Sequence, residues 1–213
     1  FTNHKELIYE AVESLSSRSF QTVYHENPKE YAEDAKETGE LAFQNRLNTD
    51  FTDLQVNSDV WVGEEISPYL QTGIGIRYPY LPVDKLIENS KSGLKSWREV
   101  DIEERAGILA EALERLTERF FEMAYATMHT TGQGFIMAFQ ASGAHSCDRA
   151  LEAIAMGFSE IKRLPEQIKW DKWVGSNAIP VRKTWKPVPR GISLVIGCST
   201  FPVWNSMPGI FGS

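Results

Sequence analysis

Ile102, Ala106, Leu109, Leu113, Leu116, Phe120 and Met123 stand at alternating steps of four and three, the spacing that lines up side chains on one face of an α-helix. This predicts one continuous helix whose apolar stripe needs a partner surface, with Asp101 as its N-cap. Upstream, Val83, Leu86, Ile87 and Leu94 line one side of a helix running from Val83 to Trp97. A further helix, about Met137 to Lys162, carries Leu151, Ile154, Ala155, Phe158 and Ile161, and Pro165 stops the pattern soon after. The first 50 or so residues read as two charged, modestly amphipathic helices, about Lys5 to Ser16 and about Pro28 to Arg46. The second opens with an Asn27 cap and Pro28 in its first turn.

Between Asp50 and Pro82 the period disappears. Gly63, Pro68, Gly73, Gly75, Pro79 and Pro82 punctuate a stretch that also holds Trp61, Tyr69, Tyr78 and Tyr80. Disordered linkers are poor in aromatics, so the segment reads as an ordered loop wrapping a neighbour. After Pro165 the period falls from 3.6 to 2. Ile179, Val181, Lys183 and Trp185 alternate with Pro180, Arg182 and Thr184, as in a half-exposed strand from Asn177 to Trp185. Ile192 to Ile196 is a short apolar run between Gly191 and Gly197, which reads as a buried strand, the first of a parallel sheet with helices on both faces. Such a strand needs neighbours that the sequence does not supply.

Composition narrows the function classes. The 213 residues are 42% hydrophobic and 24% charged, an ordinary globular balance. A net charge of -7 with a pI near 5.2, and no clustered Lys and Arg, gives no electrostatic footprint for nucleic acid. No apolar run reaches the roughly 18 residues a bilayer span requires, and Phe1 to Glu10 lacks the apolar core of a signal peptide. Cys147 and Cys198 make no disulfide framework, which suits a reducing compartment, so the expected location is cytoplasmic, with no membrane partner. The chain starts at Phe1 and stops at Ser213 within an apolar stretch, so it is expected to be part of a longer chain.

In open parallel sheets, ligands lie at the carboxyl ends of the strands. Gly197-Cys198-Ser199-Thr200-Phe201-Pro202 occupies that place after Ile196. Small residues there let backbone approach a ligand, and hydroxyls and amides can donate to an oxyanion or phosphate. A tight strand-to-helix turn is the competing reading. Cys198 invites a nucleophile role, but no His or acid neighbours it in sequence. His145, Cys147 and Asp148 at the head of a helix, without a second cluster, make a poor zinc site, so no metal is expected. Glu103 and Glu104 read as solvated first-turn acids. Trp170, Trp173 and Trp185 read as core or subunit-contact aromatics rather than a ligand cage.

The order of segments resembles the start of an aldehyde dehydrogenase. Trp97-Arg98 precedes Glu104-Arg105-Ala106-Gly107-Ile108-Leu109, and Thr131-Gly132-Gln133 precedes the next long helix. A strand then leads through Pro187-Val188-Pro189-Arg190-Gly191 into Ile192-Ser193-Leu194-Val195-Ile196, followed by Phe201-Pro202. Within that superfamily the N-terminal region, Tyr78-Pro79-Tyr80 and Ser199-Thr200-Phe201-Pro202-Val203-Trp204-Asn205 most resemble the phenylacetic acid degradation protein N type.

The resemblance implies an α/β, aldehyde dehydrogenase-like fold, represented by an N-terminal helical region, the first strands of the Rossmann-like cofactor domain and the oligomerisation arm. It divides the chain into an extension and wrapping loop (1–82), a helical part of the cofactor domain (83–175), an arm strand region (176–190) and the first cofactor-sheet strand with its loop (191–213). It also implies NAD or NADP as cofactor, an aldehyde substrate, and a homodimer or homotetramer. The backbone of Ile196, Gly197, Cys198 and Ser199 would flank the nicotinamide side of the dinucleotide. The family's loop reads Pro-Trp-Asn-Phe-Pro, and its Asn amide helps form the oxyanion hole. Here Thr200 stands at the Asn position, replacing an amide donor with a shorter hydroxyl; Asn205 follows five residues later, either as a compensating amide donor or, the leading expectation, in a structural role. The family's nucleophilic Cys, base Glu and ribose-contacting Lys fall beyond Ser213. On those residues, an aldehyde is oxidised through a thiohemiacetal, hydride transfer and thioester hydrolysis. A non-catalytic helical scaffold or degenerate family member is the second reading, motivated by Thr200 and by the absence of a complete catalytic set.

Overall fold

The computed structural model describes residues 1–213. Eight α-helices and four strands follow one another as α1 (Lys5–Ser17), α2 (Ala35–Gln44), β1 (Trp61–Val62), β2 (Tyr78–Pro79), α3 (Val83–Trp97), α4 (Ile102–Thr117), α5 (Phe120–Thr131), α6 (Phe135–Phe139), α7 (His145–Lys162), β3 (Gln167–Val174), β4 (Asn177–Thr184) and α8 (Pro202–Gly212). α7 lies at the centre, with α1, α4 and α8 packed against it, while α2 packs on α5.

The cap of α4 is local chemistry that the sequence displays. Asp101 Oδ1 accepts the Glu104 N–H at 2.8 Å, satisfying one of the free donors of the first turn. The single helix expected from Ile102 to Met123 is nevertheless two. At Arg119, with φ -112° and ψ 6°, the chain turns out of α4 into α5. The turn carries Phe120 and Phe121 into the core, where they meet Tyr31 and Phe139. Along α4 the deeply buried side chains are Ala106, Ala110 and Leu113, while Leu109 and Leu116 sit half-buried at the edge of the cluster.

The helix expected from Pro28 to Arg46 also divides. Asn27 caps as anticipated, its Oδ1 accepting the Lys29 N–H at 3.1 Å, but it caps only a 3-10 turn, Pro28–Glu30. Tyr31 then leaves helical geometry (φ -102°, ψ 174°). Its ring reaches Phe121 and Phe139, both with centroids 5.5 Å away and near-perpendicular. Seating an aromatic ring edge-on in this cluster outweighs the few tenths of a kcal/mol per residue that helix propensity supplies. The helix expected from Met137 to Lys162 runs from Phe135, with a π-helical turn at Gln140–Ala144 between α6 and α7.

The aromatic-rich loop does wrap a neighbour. Ile74 and Ile76 from it join Phe43 of α2 and Tyr125 of α5 in a second, smaller core. Ion pairs fasten its base: Arg46 bridges Asp53 at 2.7 Å and Glu122 at 3.2 Å, and Arg119 holds Glu122 at 2.8 Å. Burial alone would raise the pKa of Glu122, but the Arg119 and Arg46 guanidinium groups overcome it and leave the carboxylate below its ordinary range.

The alternating segment is β4, paired antiparallel with β3 in the register Trp170↔Val181. Ile168, Trp170, Val174, Ile179 and Val181 therefore share one face of the hairpin. Trp173 is 66% and Trp170 43% exposed, so neither belongs to the core of this chain. The run Ile192–Ile196 departs from the expected buried strand. It pairs with no other strand, and Leu194 and Ile196 are 83% and 80% exposed. Burial of a parallel strand comes from neighbours on both sides, and the strands formed here make two separate antiparallel pairs.

Candidate functional site

The segment Ile196–Thr200 leads directly into α8, whose first helical residue is Pro202, where a missing N–H costs nothing. Close approach favours glycine at 197: a Cβ there would lie 2.2 Å from Ser206 Oγ, which would have to rotate away, and 3.1 Å from the Pro202 carbonyl. The run thus folds back over the first turn of α8, leaving Ile196, Gly197, Cys198, Ser199 and Thr200 exposed.

Two N–H donors and one hydroxyl surround Cys198 Sγ. Thr200 Oγ1 lies 3.3 Å away, the Asn205 amide donates at 3.2 Å, and the Phe201 N–H donates at 3.4 Å. The Thr200 hydroxyl and the Phe201 amide lower the thiol pKa, because hydrogen bonds to the charged form favour it. Asn205 also donates to the Phe201 carbonyl at 3.0 Å, so its amide joins the sulfur to the first turn of α8. The Thr200 hydroxyl, expected at an oxyanion position, is turned towards Cys198, while the Thr200 carbonyl accepts from Gln133 Nε2.

Gln133 is the residue that sequence reasoning passed over, having treated Thr131-Gly132-Gln133 only as a mark of resemblance. The wrapping loop reaches the same place. Tyr69 donates its hydroxyl to the Gln133 carbonyl at 2.6 Å, and Ser67 Oγ lies 2.7 Å from His129 Nδ1. A hydrogen-bonded path therefore runs from the extension, through the end of α5, to the loop before α8.

The two cysteines are both free thiols. Cys147 is fully buried, and burial pushes its pKa up to about 12. Alkylation by a small electrophile such as iodoacetamide, mapped by peptide mass spectrometry, should therefore modify Cys198 and leave Cys147 untouched in the native protein. Equal modification of the two would contradict this placement.

The His145, Cys147 and Asp148 side chains do not converge. His145 faces Glu26 at 3.2 Å, and Asp148 accepts from the Thr22 hydroxyl at 2.8 Å and the Val23 N–H at 2.9 Å. Asp148 is thereby the anchor of the strap that follows α1. A different set does approach: ligand atoms of His4, Glu111 and Glu114 lie within 4.8 Å of one another. The His4 ring lies 2.9 Å from one Glu111 oxygen, and Arg115 holds the other at 2.8 Å.

Neither a family model nor a curated protein matches the chain. Among solved structures, an NAD-dependent aldehyde dehydrogenase from Burkholderia multivorans superposes with a TM-score of 0.93 at 41% sequence identity. The alignment covers 99% of this chain and 38% of that one, so the chain spans well under half of that subunit's length. Agreement in sequence and in backbone over nearly every residue makes the fold aldehyde dehydrogenase-like and places the chain with the aldehyde dehydrogenase superfamily.

Proposed function

We propose that this chain is part of a subunit that oxidises an aldehyde to a carboxylic acid with NAD or NADP as hydride acceptor, NAD being favoured. The observation that carries this reading is the 41% identity and 0.93 TM-score, across 99% of the chain, with an NAD-dependent aldehyde dehydrogenase. The divisions 1–82, 83–175, 176–190 and 191–213 are proposed with it, as is a cytoplasmic location. The exposed apolar face of the β3–β4 hairpin supports assembly as a homodimer or homotetramer.

Bound dinucleotide supplies the hydride acceptor. The backbone from Ile196 to Ser199 fits a flanking role, since it is exposed and Gly197 carries no side chain to hold a ligand off. Thr200 serves at the oxyanion position by turning its hydroxyl from Cys198 Sγ to the aldehyde oxygen, where one aimed donor is worth a substantial part of the rate. Cys198 itself remains a flanking residue. Its partners are the Thr200 hydroxyl, the Phe201 N–H and the Asn205 amide, none of them a carboxylate or an imidazole that could act as its general base. The resemblance of Tyr78-Pro79-Tyr80 and of Ser199 to Asn205 to the phenylacetic acid degradation type supports an aromatic aldehyde of phenylacetate catabolism.

The engagement of the Thr200 hydroxyl by Cys198 is the observation that favours a non-catalytic relative instead. The full-length protein decides between them. Dinucleotide binding by calorimetry, and reduction of NAD on adding an aromatic aldehyde, is the expected result, with a dimer or tetramer by light scattering. Absence of any NAD or NADP binding would overturn the enzymatic reading.

A further inference from the structure

We infer that Gln133 is a positioning residue for the cofactor-flanking loop, acting through the single peptide group that joins Thr200 to Phe201. The inference rests on the proposed function for what the loop does, but not for how it is held.

The residue is fixed before its side chain does anything. Its carbonyl accepts from Tyr69 at 2.6 Å, and its N–H donates to Thr131 Oγ1 at 3.3 Å. From that base its side chain reaches 67 positions along the sequence and donates from Nε2 to the Thr200 carbonyl. That carbonyl stands outside the hydrogen-bond ladder of α8, which opens with Asn205 N donating to the Phe201 carbonyl at 3.1 Å. Its protein partner comes from outside α8, from Gln133.

The C=O of Thr200 and the N–H of Phe201 belong to one rigid plane and point in opposite directions. Holding the oxygen towards Gln133 aims the N–H at Cys198 Sγ, where it donates at 3.4 Å. One hydrogen bond from Gln133 thus sets the orientation of the peptide that closes the loop on Cys198. A second observation agrees. Gln133 Oε1 is buried with no hydrogen-bond partner, an arrangement that costs stability. A side chain that served only its own burial would not leave that oxygen unpaired. Its position is accounted for by what Nε2 holds.

The test uses the full-length protein with Gln133→Glu, which keeps the shape and removes the donor, and Gln133→Leu, which fills a similar volume and also removes the orphaned oxygen. The first readout needs no enzymatic activity: the pH profile of Cys198 alkylation by iodoacetamide. Losing the aimed N–H should move the profile to higher pH and slow modification about threefold to tenfold at neutral pH, the worth of one hydrogen bond. The second is the split of kinetic constants, with KM for NAD rising by a similar factor while KM for the aldehyde holds. A Cys198 profile unchanged in a variant whose melting temperature matches wild type overturns the inference. Should Gln133→Glu fail to fold, Gln133→Leu gives the same decision. If wild type binds no dinucleotide yet the Cys198 profile still shifts, the positioning role stands and the functional reading falls.

Discussion

Phe120→Ala is expected to lower the melting temperature of this 213-residue chain by roughly 6 to 20 °C, and to reduce its soluble yield. Phe120 is fully buried at the turn from α4 into α5. Its ring lies among Tyr24, Tyr31 and Phe139, with centroids 6.1, 6.2 and 6.3 Å away. These partners come from the strap after α1, from the break before α2 and from α6, so one side chain joins three segments distant in sequence. Truncation removes the transfer energy of the ring and leaves a cavity whose walls are themselves rings on separate elements. Phe→Ala in such sites costs about 3–5 kcal/mol. In a unit of this size each kcal/mol moves the midpoint by about 2–4 °C. Phe20→Ala is the matched control, because Phe20 is 84% exposed and its truncation should stay within about 0.5 kcal/mol of wild type. A scanning fluorimetry midpoint that moves no further for Phe120→Ala than for Phe20→Ala would mean that the aromatic cluster does not organise this core.

The same cluster explains where local pattern was a sufficient guide and where it was not. α3 spans Val83–Trp97 and the Asp101 cap forms, because caps and period are properties of neighbouring residues. The alternation from Asn177 likewise becomes a strand, since its partner is the hairpin's other arm. The breaks at Tyr31 and Arg119 have no such local signature. Neither Pro nor Gly marks them, and each occurs because aromatic rings from separate segments are better placed together than in two uninterrupted helices. Leu194 and Ile196 fail differently: their apolar character is real, but burial is supplied by neighbouring strands and not by the residues themselves.

The candidate site divides along the same line. That a loop of small residues precedes a Pro-initiated helix is written in Gly197 to Pro202, and the structure keeps it. The convergence of Thr200, Phe201 and Asn205 on Cys198 is only partly legible, since Asn205 reaches back seven residues, from the first turn of α8 into the loop before it, to do it. The Gln133 to Thr200 contact is not legible at all. A hydrogen bond between residues so far apart leaves no period, no spacing and no compositional trace in the chain.

Gly39→Ala should destabilise the protein even though it improves helix propensity, and the sign follows from comparing two magnitudes. Replacing glycine by alanine inside a helix is worth about 1 kcal/mol in favour of the folded state. Against that, a Cβ at position 39 would fall 2.2 Å from Phe121 Cβ, 2.8 Å from the Glu122 nitrogen and 2.8 Å from the Phe121 carbonyl carbon. Two of those three atoms are backbone of α5, so no rotamer change relieves the overlap, and α2 must retreat by about 1 Å to restore ordinary contact. Retreat pulls on Phe43, stacked on His129 at 4.7 Å, and on Glu40, which accepts the Tyr125 hydroxyl at 2.9 Å. Overpacking of this kind costs about 1–3 kcal/mol and more where backbone must move. Gly93→Ala supplies the opposite case, because nothing lies within 4 Å of a Cβ there on the exposed helix α3, and it should stabilise by about 0.5–1 kcal/mol. The two melting temperatures should therefore move apart, Gly93→Ala upward and Gly39→Ala downward. If both rose together, α2 and α5 would not cross as closely as this backbone has them.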